Sequence, residues 1–263
     1  MSQAAGLSAT SKLSGSSGLD AANPGGWREN VLVLVMVLLP VPLASILFAV
    51  GVFATLGWYW LHGQPFQISA KASMISALSL YAVISWIDVA LVWRWSSRRG
   101  FSRDVLIFHR PAWLDVAAGL AGFAVAMVGV PFLTRWLSQL SGGHGPVLPL
   151  NDAASLATYA VCVVVTAPVC EEILYRGLLV AWFGRVGWRV PFIWLAGSLL
   201  FGASHLLFTG FVWSAAMVLF GAMLFGLRLW RRSLTPGWLA HFLFNAQLAI
   251  HPLIAWLAPA LRP

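Results

Sequence analysis

Three short strings in this chain place reactive side chains inside apolar runs: Glu171, Glu172 and Arg176 in CEEILYRG, His205 in FGASH, and His241 and Asn245 in HFLFN. Carboxylate and imidazole groups can take a proton from water, and imidazole and amide N–H groups can face a developing oxyanion, which together suffice to hydrolyse an acyl bond. An ionised side chain at the centre of a membrane helix costs about 2.5 to 3.5 kcal/mol, so such residues need partners and usually a function. Helical spacing sorts them. Glu172 and Arg176 are i and i+4 and read as a structural pair, while Glu171, turned about 100° away, is left to face a cavity. Phe201 shares a face with His205, and His241 shares one with Asn245, so each of three helices presents one polar spot.

The elements that must carry these residues are membrane spans. Of 263 residues, 60% are hydrophobic and 9% charged, with a mean hydropathy of +0.83; a soluble domain is charged at roughly a quarter of its positions. Apolar runs predict about seven spans, near 31–58, 72–93, 114–134, 153–180, 190–209, 211–229 and 235–258. The first run is long and contains Pro40 and Pro42, which leaves a tilt, a kink or a re-entrant segment open, and with it six or eight spans. Fold class is therefore an all-α polytopic bundle, with the polar residues between spans four, five and seven.

The formal charge of +8 lies in short arginine clusters between spans, not in one basic stripe, so no nucleic-acid partner is expected. Arg94, Arg98, Arg99, Arg103 and Arg110 follow span two, Arg185 and Arg189 follow four, and Arg228, Arg231 and Arg232 follow six. The positive-inside rule puts these loops, and the N-terminus, in the cytoplasm. Tryptophans near predicted span ends, among them Trp58, Trp60, Trp93, Trp95, Trp113, Trp136, Trp213 and Trp230, fit interfacial belts. Asp88 and Asp115, near the arginine loops, read as interfacial charge partners. Residues 1–30 form a Ser-, Gly- and Ala-rich tail expected to be disordered, and 31–263 a single transmembrane domain. Cys162 and Cys170 lie in one apolar run and read as packing residues.

Depth is a second filter. At 1.5 Å per residue Glu171 lies roughly 21 Å from Arg185 and His205 roughly 24 Å from Arg189, so the two match. Counted from Arg232, Asn245 at about 20 Å shares that level, whereas His241 at about 14 Å requires a kink or a shifted helix start near Pro236 and Gly237.

EExxxR, then FxxxH about thirty residues later, then HxxxN on a later span, resembles the three-motif signature of the CPBP family, which includes type II CAAX prenyl proteases and bacteriocin-processing enzymes. The resemblance covers about 150–250 and implies an intramembrane endopeptidase. It assigns Glu171 as the base that activates water with help from His205. It also assigns His241 and Asn245 as the oxyanion site, with Glu172, Arg176 and Phe201 in support. The same resemblance implies a membrane protein or lipidated peptide as substrate, the lipid bilayer as environment, no cofactor, and a bacterial inner membrane as location. Substrate processing of CAAX type, leader trimming and sorting-tail cleavage would all use one centre.

Two other readings differ in kind. A zinc protease would use Glu171, His205 and His241 as ligands, but the HExxH pair that sets two histidines one helical turn apart is missing. A non-catalytic immunity, assembly or transport protein would use the same cluster to bind a ligand or proton.

Overall fold

A computed structural model of the chain describes residues 26–66, 69–109, 111–142 and 148–257. Among them every regular element is helical: α1 (Trp27–Leu38), α2 (Pro40–Leu61), α3 (Ala70–Arg98), α4 (Ser102–Val105), α5 (Trp113–Ser141), α6 (Ala153–Arg185), α7 (Val190–Ser204), α8 (Leu206–Arg231) and α9 (Thr235–Leu257). Helices α2, α3, α5, α6 and α8 are long and apolar enough to cross a membrane, and α7 is a shorter apolar helix. The chain is an all-α polytopic membrane protein.

The first apolar run divides in two. Pro40 and Pro42 lack N–H groups, and a new helix starts at Pro40. α1 buries Val33, Met36 and Val37 in the core and fixes its start through Trp182 Nε1, which donates to Asn30 Oδ1 at 2.9 Å. In α2, by contrast, only 6% of the apolar window is buried, against 44% in α6, so α2 offers its surface to lipid. The helix begins at Trp27, inside the expected tail, most of which lies outside the described residues.

α6 is the central element. It opens with a capping box, in which Asp152 Oδ1 accepts from the Ser155 N–H at 3.0 Å and Ser155 Oγ accepts from the Asp152 N–H at 3.3 Å. It then passes through two π-helical stretches, Ala160–Thr166 and Glu172–Leu179. Pro168 accounts for the first, because a proline cannot donate to the helix and its ring crowds the preceding turn. The Ala167 N–H bonds to Cys162 O, five residues back. In that register the next donor, for Val163 O, would be Pro168, which has none.

Around α6 the packing is close. α7 and α8 pack face to face through Gly202, where an added Cβ would lie 2.7 Å from Ser214 O. Ala203, beside it, is exposed and takes no part in that contact. Near the start of α8, Gly210 adopts φ 73°, which kinks the helix and lets the chain reverse after α7. Phe201, Phe220, Leu224, Phe225 and Phe244 from α7, α8 and α9 form the core with Leu174 and Leu178 of α6.

Three charged residues and two tryptophans bear on the sequence reading. Asp115 pairs with Arg231 at 2.8 Å, as an interfacial partner should. Asp88 does not: it is buried against α6, and neither carboxyl oxygen has a hydrogen-bond partner among the described residues. Arg228 is no loop residue either. It is buried, and its Nε donates to Arg176 O at 3.1 Å in the second π-helical stretch. Trp58, Trp60, Trp93, Trp113, Trp136 and Trp230 are exposed, but Trp95 packs on Phe101 and Trp182, and Trp213 on Phe244.

Candidate active site

The two adjacent glutamates of α6 meet different neighbours. Glu172 is fully buried, and its Oε1 lies 3.2 Å from Arg176 Nη1, the i,i+4 contact expected from the spacing. Arg176 is equally buried: Nη2 donates to Gly221 O at 3.4 Å, and the guanidinium lies over the rings of Phe201 (4.2 Å) and Phe225 (4.7 Å). Aromatic faces and one carboxylate thus hold a cation that hydrocarbon alone would reject. On the far side Gly237 of α9 lies so close to Glu172 that an added Cβ would fall 2.8 Å from Oε2.

Glu171 is held on one side only. Its Oε1 accepts a hydrogen bond from Tyr81 Oη at 2.6 Å, and its Oε2 is buried without a hydrogen-bond partner among the described residues. His241 sits across both carboxylates: Nδ1 is 3.2 Å from Glu172 Oε1, and Nε2 is 3.7 Å from Glu171 Oε2. The first is a hydrogen bond and the second a loose ion-pair distance. Rings of Phe220 and Phe201 meet the imidazole edge to face, at 5.3 and 6.0 Å.

His205 closes α7. Its Nδ1 is 2.8 Å from Phe201 O. A carbonyl only accepts, so Nδ1 carries the proton and Nε2 presents its lone pair in the neutral ring. The Phe201 ring meets His205 edge to face at 4.8 Å and reaches Arg176 and His241, which makes it the spacer against which three polar side chains rest.

Asn245 stands one turn beyond His241 and meets α6 elsewhere. Its Nδ2 donates to Val163 O at 2.8 Å, the carbonyl that Pro168 leaves without a donor. Tyr159 Oη donates to the Asn245 backbone oxygen at 3.2 Å, so this turn of α9 is tied to the first π-helical stretch.

The expected depths are therefore reversed for α9: His241 touches both glutamates, and Asn245 lies beyond them. Glu172–Leu179 is π-helical and occupies most of the distance from Glu171 to Arg185, so an α-helical rise overstates the depth of Glu171. A second departure is that Glu172 is more than a lock for Arg176, since it also anchors His241 Nδ1.

Tyr81 escaped the sequence reading because it lies in a span with no motif. The available signal was a tyrosine, one of four in the chain, in the middle of an apolar run. Buried tyrosine hydroxyls require a partner.

As for metals, His241 turns both nitrogens to carboxylates, and His205 spends Nδ1 on a backbone carbonyl. Among the described residues no three His, Cys, Asp or Glu side chains are grouped so as to hold a metal ion.

No curated protein and no solved structure matches the chain. Residues 153–247, which contain all three motifs and every side chain of the cluster except Tyr81, match the family model described as type II CAAX prenyl endopeptidase Rce1-like, so that the resemblance carried by the motifs is to a family of CAAX-type membrane-embedded proteases.

Proposed function

We propose that this protein is an endopeptidase that hydrolyses a peptide bond of a membrane-associated substrate with water activated by Glu171. The observation that carries the reading is a buried carboxylate with one oxygen bonded to Tyr81 and the other 3.7 Å from His241 Nε2. In this scheme Glu171 Oε2 takes a proton from water as the oxygen attacks the scissile carbonyl carbon. The carbonyl π electrons move to its oxygen, and as the C–N bond breaks Glu171 returns the proton to the leaving nitrogen.

His205 assists through Nε2, whose lone pair orients the attacking water. His241 and Asn245 serve the oxyanion. Nδ1 of His241 is engaged by Glu172, which leaves Nε2 to face the reacting carbonyl. Asn245 spends one amide hydrogen on Val163 O and retains the second. Glu172, Arg176 and Phe201 hold His241 and His205 in place.

The substrate is a membrane protein or lipidated peptide, and its processing is C-terminal trimming of CAAX type, leader trimming or sorting-tail cleavage. Support comes from the family matched over 153–247. The test compares protein termini in membranes containing the wild type, Glu171→Gln or His205→Ala. New termini are expected with the wild type alone; termini that persist with Glu171→Gln reject the glutamate mechanism.

A further inference from the structure

The side chains proposed for catalysis come from 153–247, yet the hydrogen bond that holds Glu171 comes from outside that segment. Tyr81 of α3 supplies it, with its hydroxyl 2.6 Å from Oε1. A carboxylate oxygen only accepts, so the phenol donates, and the separation is that of a charge-assisted O–H to carboxylate bond. The height of α3 against α6 is set by other contacts as well. Trp86 Nε1 donates to Thr166 Oγ1 at 3.3 Å, and Lys71 pairs with Asp152 at 2.7 Å. Ring packing against Phe208 of α8, edge to face at 6.5 Å, confines the phenol from the other side.

We infer that Tyr81 is a positioning residue for the hydrolysis: by occupying Oε1 it fixes the plane of the Glu171 carboxylate and leaves Oε2 as the oxygen that receives the proton of water. The inference rests on the base role proposed for Glu171. The terminal torsion of a glutamate is broad, so an unrestrained carboxylate would exchange its two oxygens. Nothing else restrains this one among the described residues: His241 Nε2 is 3.7 Å from Oε2, beyond hydrogen-bond range, and Arg176 is engaged by Glu172. The phenol keeps its proton throughout, because the proton taken from water returns to the leaving nitrogen.

Tyr81→Phe keeps the ring and removes only the donor. Expected is a fall in kcat of about 10- to 100-fold, the scale set by small misplacement of a reacting group, with KM changed by less than about twofold. The infrared carboxylate band of Glu171, identified by its disappearance in Glu171→Gln, is expected to shift in Tyr81→Phe. A Tyr81→Phe protein with full kcat, or one whose Glu171 band does not move, overturns the inference. A raised KM at unchanged kcat also overturns it, since that is the mark of a substrate contact. Cleavage retained by Glu171→Gln strikes instead at the base role itself, so the two failures can be told apart.

Discussion

Glu171 and Glu172 are neighbours in the chain but occupy two different regions of the molecule. Around Glu172 everything is closed: Arg176, His241 and the bare backbone of Gly237 surround a carboxylate with no exposure. Around Glu171 one oxygen is bonded to Tyr81, and Oε2, like Oε2 of Glu172, has no hydrogen-bond partner among the described residues. The difference shows how one helix turns two identical groups to different uses: the step between neighbours turns Glu171 to Tyr81 of α3 and Glu172 to Arg176, with His241 of α9 reaching both. It also explains why the cluster holds together in an apolar setting. Arg176 and His241 both face the Glu172 carboxylate, whereas Glu171 takes its one hydrogen bond from Tyr81.

The widest separation between the two regions is expected from the pair Glu171→Gln and Glu172→Gln. The first should lower cleavage by about 10²- to 10⁴-fold, the range of general-base catalysis, with little change in the unfolding midpoint in detergent. The second should chiefly lower that midpoint. If both variants lose activity equally at unchanged stability, the division of labour is wrong.

Removing the partner of the closed side comes next. Arg176→Met leaves Glu172 as an uncompensated buried charge and is expected to destabilise the protein by about 3 to 5 kcal/mol. Adding Glu172→Leu should recover a large part of that loss, measured by unfolding of the single and double variants. Recovery of activity with it would sink the view that Glu172 also anchors His241.

Smaller effects probe the edges of each region. Gly237→Ala pushes a methyl group towards Glu172 Oε2 and should cost about 1 to 3 kcal/mol, as overpacking does, with a partial loss of kcat through displaced His241. Asn245→Ala leaves Val163 O unpaired, for about 1 to 3 kcal/mol of stability besides any loss at the oxyanion.

The smallest effect lies at the membrane edge, between α3 and α6. Hydrogen bonding from Lys71, and then from the Ser155 N–H, holds the Asp152 carboxyl below its usual range. A carboxyl depressed in the folded state stabilises above its ordinary value and loses that contribution as pH falls through the depressed one. Lys71→Ala should therefore lower the melting midpoint slightly at neutral pH, and the difference should vanish in strong acid. A difference that persists there would assign the effect to packing.

The chain's own order of residues made much of this legible. Apolar runs locate the helices α3, α5, α6, α7, α8 and α9, because the bilayer fixes both the length and the character of a span. The i,i+4 rule pairs Glu172 with Arg176, since that contact lies within one helix and needs no knowledge of any other. The remaining features depend on distance between helices or on departures from ideal geometry. Pro168 is visible in the sequence, but the π-helical register around it, which alters the depth of Glu171 and leaves Val163 O for Asn245, is not. Arg228 reads as a loop cation until α6 is seen to offer it the Arg176 carbonyl.

Membership of the helical membrane class and the three polar motifs were thus determined by sequence alone, because hydrophobic periodicity and short-range helix geometry are local properties. Only the tertiary structure decided that His241 spans both glutamates, that Asp88 is buried with no hydrogen-bond partner among the described residues, and that Tyr81 reaches Glu171 from 90 residues away. Contacts of that kind are fixed by how helices pack against one another, and no spacing along a single helix encodes them.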